Sequence, residues 1–539
     1  MPRPTPSPDL PPPNELGAPE KFVSWRPVQI AALFRHMNSG KRFVMSAMPT
    51  GSGKSLTYTM VAAMTGQRTV ILTSTKGLQS QLLGDFAEMG VQDVRGMNAY
   101  ACRGLAEGMF GAEQHESCDH GPCRFGAQCS LRMGGCLYFD AVRRAKEARI
   151  IVTNYAYWMM MQQYGQGLGE FVRLVLDEAH DAVNWLCSFL DAEITSRELA
   201  MVGVSLPDTD LDMPGWRKWA AAVSHQVEGR IEWLAEQWQQ HPTGQISLSL
   251  RREGHMLKGL SSKLERFEAV GTDSIIEKLR GAVKLSVVWP ARYAEKYLFR
   301  GIEHIDMVSA TIRPKTAHLL GIKDADLDFA DYPSDFPARN RMVIHVPTVR
   351  MSHRNDSDDE RAWLSQVDSI IGERLDRKGI IHTVSYKRRD LLMENSKHRK
   401  VLISHTSATT RAVFDKFKTL EPPAVLVSPA ATTGWDFPGD ECEYQIVIKL
   451  PFPDLSSAVM KERVRTDKSY GAYICAQTLI QMVGRGMRFA GDQCETLVTD
   501  DNIRWFLRLY RGFFPQWFLE ACTSVSVRAI PPKKMEKTI

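Results

Sequence analysis

Residues Met48-Pro49-Thr50-Gly51-Ser52-Gly53-Lys54-Ser55 have the types and spacing of a phosphate-binding loop. Gly51 and Gly53 let the backbone turn tightly and aim several N–H groups at one anion, and the positive end of the helix that follows adds to the attraction. In such a loop Lys54 reaches the β- and γ-phosphates of ATP, and the Ser55 hydroxyl holds Mg²⁺. Met48 stands where the usual pattern has its first glycine. A loop of this kind also arises by chance, so its meaning depends on whether the chain supplies partners for it.

Asp177-Glu178-Ala179-His180 closes an apolar run that begins at Val172. An acid at a strand end beside a phosphate loop can hold Mg²⁺, here Asp177 together with Ser55, and the adjacent Glu178 can orient and deprotonate an attacking water. Ser309-Ala310-Thr311 ends another strand, where small hydroxyls can link the Glu178 and His180 side to a second core. In Gln481-Met482-Val483-Gly484-Arg485-Gly486-Met487-Arg488 the two guanidinium groups of Arg485 and Arg488 are three apart, one helix face, and can reach a γ-phosphate across a cleft. Gly434 and Asp436, in a loop after the run Ala424 to Ser428, can sense nucleotide or strand. Gln29, upstream of the phosphate loop, can read an adenine edge with one donor and one acceptor, although an exposed glutamine at a helix start explains it equally simply.

These residues need rigid elements to hold them. Apolar runs of strand length alternate with helical stretches: 42–47, 69–74, 149–153, 172–177 and 304–309, then 342–346, 379–384, 401–404, 424–428 and 444–449. That rhythm predicts parallel sheets covered on both faces, in two α/β cores that meet near residue 318. Residues 1–24 are rich in proline and read as a tail. Two stretches break the rhythm and read as insertions into the first core. Residues 95–145 carry cysteines and glycines with little periodicity. Residues 182–295 read as wholly helical, with Trp216, Trp219, Val223, Val227, Ile231, Leu234 and Trp238 at steps of three and four. That stripe is a packing face before it is a base-stacking platform. Arg251, Arg252, Lys258, Lys263 and Arg266 form a basic run that either rims a strand path or is solvated helix surface.

At 539 residues the chain has room for two to four domains, and 44% hydrophobic with 24% charged residues excludes large-scale disorder. No apolar run reaches the length of a membrane span, so a membrane role is not expected and the protein should stay in the cytoplasm. A formal charge of +5 decides nothing about nucleic acid by itself. Five of the ten cysteines, Cys102, Cys118, Cys123, Cys129 and Cys136, fall within one stretch, which in a cytoplasmic chain reads as metal binding.

In their order along the chain these pieces resemble the motifs of superfamily 2 helicases: Arg26 and Gln29, the loop from Met48 to Ser55, Thr73-Ser74-Thr75-Lys76, Asp177 to His180, Ser309 to Thr311, Gly434 with Asp436, and Gln481 to Arg488. The Met-Pro-Thr-Gly-Ser-Gly-Lys-Ser loop, the cysteines before Asp177, Cys136-Leu137-Tyr138-Phe139 ahead of Ile151 to Tyr155, and Tyr332-Pro333-Ser334-Asp335-Phe336-Pro337 narrow this to a resemblance to XPD/DinG-like iron–sulfur helicases, over roughly residues 25 to 510. The resemblance implies two RecA-like parallel-sheet domains, 25–318 and 319–539, the first interrupted by a cluster domain (95–145) and a helical arch (182–295). It also implies a DNA-stimulated ATPase that moves 5′ to 3′ on single-stranded DNA and opens forked duplex; a monomer is the expected state, which the residues do not fix.

The family's [4Fe–4S] cluster takes four thiolates, and this chain offers five. By that resemblance Cys102 and Cys136 match the first and last ligands, while Cys118, Cys123 and Cys129 compete for two places, with Cys118 the expected spare. Zn²⁺ is the alternative occupant, since closely spaced thiolates also suit it. Two other functions stay open from sequence alone: a nucleic-acid-stimulated ATPase that remodels a complex without unwinding, and a DEAH-type RNA helicase.

Overall fold

The computed structural model describes residues 10–109, 113, 115–125, 128–164, 167–240, 244–269, 271, 273–352, 354–429, 435, 437–487 and 491–524. The first lobe is built on β1 (Phe43–Ala47), β2 (Thr69–Thr73), β3 (Gln92–Asp93), β4 (Ile150–Asn154) and β5 (Arg173–Asp177). The chain then leaves this sheet for β6 (Ala192–Thr195), β7 (Ser274–Leu279) and β8 (Ala282–Val287), and returns as β9 (His304–Ser309) and β10 (Leu327–Asp331). The seven strands of the lobe lie in the order β10-β1-β9-β5-β2-β4-β3, all parallel. Val70, Leu72, Leu174, Leu176, Ile305 and Met307 pack on one face, whereas Ile71, Val175 and Val308 pack on the other. A strand apolar on both sides of its two-residue period can only be buried between two layers of helix, which is why these runs have little polar content.

The second lobe holds β11 (Val343–Val349), β12 (Lys378–His382), β13 (Leu402–Ser404), β14 (Ala424–Ser428), β15 (Tyr444–Val447), β16 (Glu495–Asp500) and β17 (Cys522–Ser524), in the order β13-β14-β12-β15-β16-β11-β17, again parallel. The α/β class with two parallel sheets is therefore as expected.

The boundary near 318 is not. After β9 the helix Pro314–Leu319 leads into β10, which pairs with β1 from Phe43↔Leu327 to Ala47↔Asp331. This edge strand alternates Asp328 and Asp331 with apolar residues, so a search for continuous apolar runs passes over it. The chain crosses between lobes later. Tyr332 belongs to the first core and donates its N–H to the Ala47 carbonyl (3.1 Å), while Phe336 belongs to the second core.

The second insertion is not wholly helical either. β6, β8 and β7 form an antiparallel sheet at its base, with β7 and β8 joined through Gly281 at φ 75°. Its long helices, Met213–Gln240 and Gly244–Ala269, lie along each other, burying Trp216, Val223, Val227, Leu234 and Trp238 against Leu257, Leu260, Leu264 and Phe267. The tryptophan stripe is thus a packing face. Much of the basic run is also spent on packing: Lys263 pairs with Glu198 at 2.6 Å, and Arg266 donates to the Asp191 carbonyl at 2.9 Å. Among the described residues no helix is long and apolar enough to cross a membrane.

Candidate nucleotide cleft and cysteine pocket

β1 delivers the chain to Met48, whose N–H donates to the Ser309 carbonyl at 3.1 Å and whose side chain is buried in the core. Met48 is therefore an apolar anchor of the loop and presents no side-chain group to a ligand, which corrects its expected binding role. Gly51 and Gly53 have φ of 76° and 78°, in the left-handed region. Close neighbours constrain them further. A Cβ on Gly53 would lie 2.1 Å from Gln29 Nε2, and one on Gly51 would lie 2.7 Å from the Phe336 ring.

Gln29 is buried behind this loop. Its Nε2 donates to the carbonyls of Ser52 (3.1 Å) and Gly53 (3.5 Å), and its Oε1 accepts the Arg26 N–H at 2.9 Å. Arg26 Nη1 donates to the Gly51 carbonyl. With both amide functions engaged inside the protein, Gln29 holds the loop in shape, where an adenine-reading amide was expected. Pro49 caps the turn by accepting the Ser52 N–H at 3.2 Å, and the helix Lys54–Thr65 follows directly. The Ser52 hydroxyl is buried without a protein partner, as a group facing a polar ligand would be.

β5 brings the acids to the same place. Asp177 is its last residue, and Glu178 turns out of the sheet at φ 48°. Lys54 Nζ lies 3.8 Å from Glu178 Oε1. Ser309 Oγ donates to Glu178 Oε2 at 3.1 Å and lies 2.8 Å from His180 Nδ1, so the end of β9 joins the acid to the histidine. Burial and the neighbouring Glu178 charge push the Asp177 carboxyl up to about 7. Burial opposes Glu178 ionisation too, but Lys54, His180 and Ser309 outweigh it and hold that carboxyl well below its usual range. Tyr58, one helical turn beyond Ser55, places its buried phenol beside Ser55 and Asp177. Its position was readable as the same face of the loop helix as Ser55.

The second lobe meets this site through the helix Tyr470–Val483. Gln481 Nε2 lies 3.3 Å from His180 Nε2, across the cleft. The helix then ends, and Gly484–Gly486 forms a 3-10 turn, so Arg485 does not lie on the continuous helix face expected from its spacing. The turn is tightly enclosed. A Cβ on Gly484 would lie 2.6 Å from Thr50 Oγ1, and one on Gly486 would lie 2.4 Å from Cys494 Sγ. The turn is pressed between the phosphate loop and β16's approach. Arg485 is 4% exposed and donates to the Trp435 carbonyl. Gly434, Asp436 and Arg488 lie outside the described residues, as does the start of the proline-rich tail.

The five clustered cysteines line one pocket with Met97, Arg103, Leu131 and Phe139. Cys118 sits between Cys102 and Cys136. Its hydrogen bonds lower both neighbouring thiols to about 6, while its own thiol is pushed far up. Burial, then Cys129, raises Cys123 to about 11. A Cβ on Gly121 would lie 3.4 Å from Cys102 Sγ and 3.5 Å from Cys123 Sγ, so the missing side chain keeps the pocket floor open. Cys118, the expected spare, is the most central of the five.

The family described as type III restriction enzyme, res subunit, matches residues 22–189, and the one described as helicase C-terminal domain matches residues 375–521. The first match spans the phosphate loop and Asp177 to His180, and the second spans Gln481 and the turn after it. The fold is similar over its whole length to a solved XPD helicase structure, with a TM-score of 0.62 at 13% identity, covering 94% of this chain and 100% of that one. The two family matches together with this fold mark a helicase-type architecture similar to that of solved XPD structures.

A solved structure of S. tokodaii Xpd4 is also similar, with a TM-score of 0.57 at 12% identity, covering 93% of this chain and 100% of that one. No curated protein sequence matches the chain. The cleft holds a glycine-turned loop, a strand-end acid pair, and a second-lobe turn seated on that loop.

Proposed function

We propose that this chain is an XPD/DinG-like helicase, an ATP-driven DNA translocase that hydrolyses ATP to ADP and phosphate and separates forked duplex as it moves 5′ to 3′ on single-stranded DNA. The observation that carries this reading is the seating of the Gly484–Gly486 turn on Thr50 of the phosphate loop, beside the Gln481–His180 contact. A nucleotide bound there touches both lobes, so its hydrolysis changes how they fit.

Backbone N–H groups of residues 50–55 and the Lys54 ammonium bind the phosphates. Ser55 and Asp177 hold Mg²⁺, which neutralises charge on the β- and γ-phosphates. Glu178, kept ionised by Lys54 and its hydrogen bonds, orients the attacking water and takes its proton. Arg485 exchanges the Trp435 carbonyl for the γ-phosphate as the lobes close; Arg488, Gly434 and Asp436 are assigned to the nucleotide by their sequence motifs alone. Cys102, Cys118 and Cys136, with Cys123 or Cys129, would hold a [4Fe–4S] cluster that ties the insertion's loops onto its small apolar core around Leu105, Tyr138 and Val142. DNA contacts are chiefly to phosphates, giving little sequence preference and strong salt dependence.

The test is ATP hydrolysis by purified protein with and without single-stranded DNA and RNA, followed by displacement of a 5′-tailed duplex. Stimulation by DNA and strand release that Lys54→Ala abolishes are expected. A rate indifferent to DNA, yet still lost in Lys54→Ala, overturns the reading.

A further inference from the structure

Asp119 and His120 follow Cys118 in the first insertion, and His255 projects from the helix Gly244–Ala269 of the second. One donor atom from each, a carboxylate oxygen and two ring nitrogens, lie within 4.8 Å of one another, the sole such group of His, Cys, Asp and Glu among the described residues. The rings of His120 and His255 meet with centroids 4.8 Å apart and planes tilted by 47°. His120 Nδ1 is 3.7 Å from Asp119 Oδ1. Ser117 Oγ donates to that same carboxylate oxygen and fixes its orientation, as outer partners of metal ligands do.

His255 Nδ1 is buried and has no hydrogen-bond partner. A buried imidazole nitrogen left alone is costly, and ring contact with His120 does not satisfy it. The flanking Arg124 and Arg251, the latter with Nη1 3.5 Å from the His120 carbonyl, do not draw a cation by charge. Attraction must come from coordination itself.

We propose that Asp119, His120 and His255 bind a divalent transition ion, Zn²⁺ in the first instance, which ties the cysteine-bearing insertion to the helical one. Two imidazoles and a carboxylate suit Zn²⁺ and are too few and too nitrogen-rich for Mg²⁺ or Ca²⁺. Bonds of about 2.0–2.2 Å require the donors to close to roughly 3.3 Å, which side-chain rotation supplies, and three protein ligands leave one position for water. The site is chemically distinct from the thiol pocket next to it. It clamps two segments that are more than a hundred residues apart in sequence.

The experiment uses the full chain purified anaerobically. Zn²⁺ is titrated by calorimetry, and the loaded protein is read by zinc-edge X-ray absorption beside total iron. Expected are one Zn²⁺ per chain, a first shell of nitrogen and oxygen without sulfur, and binding weakened at least about tenfold in both His255→Ala and Asp119→Asn. Iron content and ATP hydrolysis should be unchanged in both variants. Asp119→Asn keeps the side-chain shape and serves if His255→Ala folds poorly. A sulfur shell, absent binding, or undiminished binding in the two variants overturns the proposal without touching the ATPase reading.

Discussion

Lys54 Nζ lies 3.8 Å from Glu178 Oε1, joining the first residue of the loop helix to the residue that turns out of β5. The pair holds each charge where a triphosphate would need it: the ammonium at the phosphates, the carboxylate one water away. Replacing Glu178 by Gln keeps the shape and removes the base. ATP hydrolysis should fall by about 10²–10⁴-fold while nucleotide affinity changes only a few-fold, measured by phosphate release and by binding of a fluorescent nucleotide.

Gly484 has φ −73°, which any residue can adopt, and a Cβ placed there would meet Thr50 across the cleft. Gly484→Ala should therefore leave thermal unfolding nearly unchanged yet lower the hydrolysis rate by roughly 10²-fold through misplaced lobes. A full rate in this variant would show that hydrolysis does not need the observed seating.

His180 touches Glu178 and Ser309 within its own lobe and Gln481 of the other. Although burial opposes its protonation, Glu178 and Asp181 raise its pKa above the usual value. Gln481→Ala is expected to keep the unstimulated rate within about threefold and to lose most of the acceleration by DNA, because only the interlobe link is cut. Hydrolysis rates across a DNA titration check this.

Cys118 lines the same pocket as Cys102 and Cys136 and is the most deeply buried of the clustered thiols, so Cys118→Ser should cost the visible cluster absorbance and bound iron as fully as Cys102→Ser does. Replacing Cys123 and Cys129 singly should leave one of the two variants with its iron, since four thiolates suffice. Iron analysis of the four proteins, purified anaerobically, separates these outcomes.

Asp306 on β9 is buried with Arg173 (2.6 Å) and His36 (2.8 Å). Burial opposes its charge, but His36 and Arg173 prevail and hold its carboxyl below 3.8. A carboxylate whose folded pKa is lowered binds fewer protons folded than unfolded, so its contribution is complete above pH 3.8 and disappears as pH falls through the folded value. Asp306→Ala leaves the Arg173 charge buried and short of its partner. It should cost about 3–5 kcal/mol in urea unfolding at pH 7, with a smaller loss on acidification than wild type.

What the amino-acid sequence determined alone was everything carried by local pattern. Fully apolar strand runs demand two-sided cover, and the phosphate loop, Asp177-Glu178 and Ser309 each sit at the end of such a run, so their convergence at one sheet edge was readable. The five close cysteines announced a shared pocket. Tertiary structure alone decided the rest, because it depends on what approaches from far along the chain. Gln29 holds the loop since Ser52 and Gly53 present carbonyls to it. Gly484 carries no side chain because Thr50 leaves no room for one. β10 joins the first lobe by pairing with β1, a backbone interaction that its half-polar side chains do not advertise. Cys118 lies between Cys102 and Cys136 because the loop folds back on itself, which spacing does not encode. His255 reaches Asp119 and His120 only because the two insertions fold against each other.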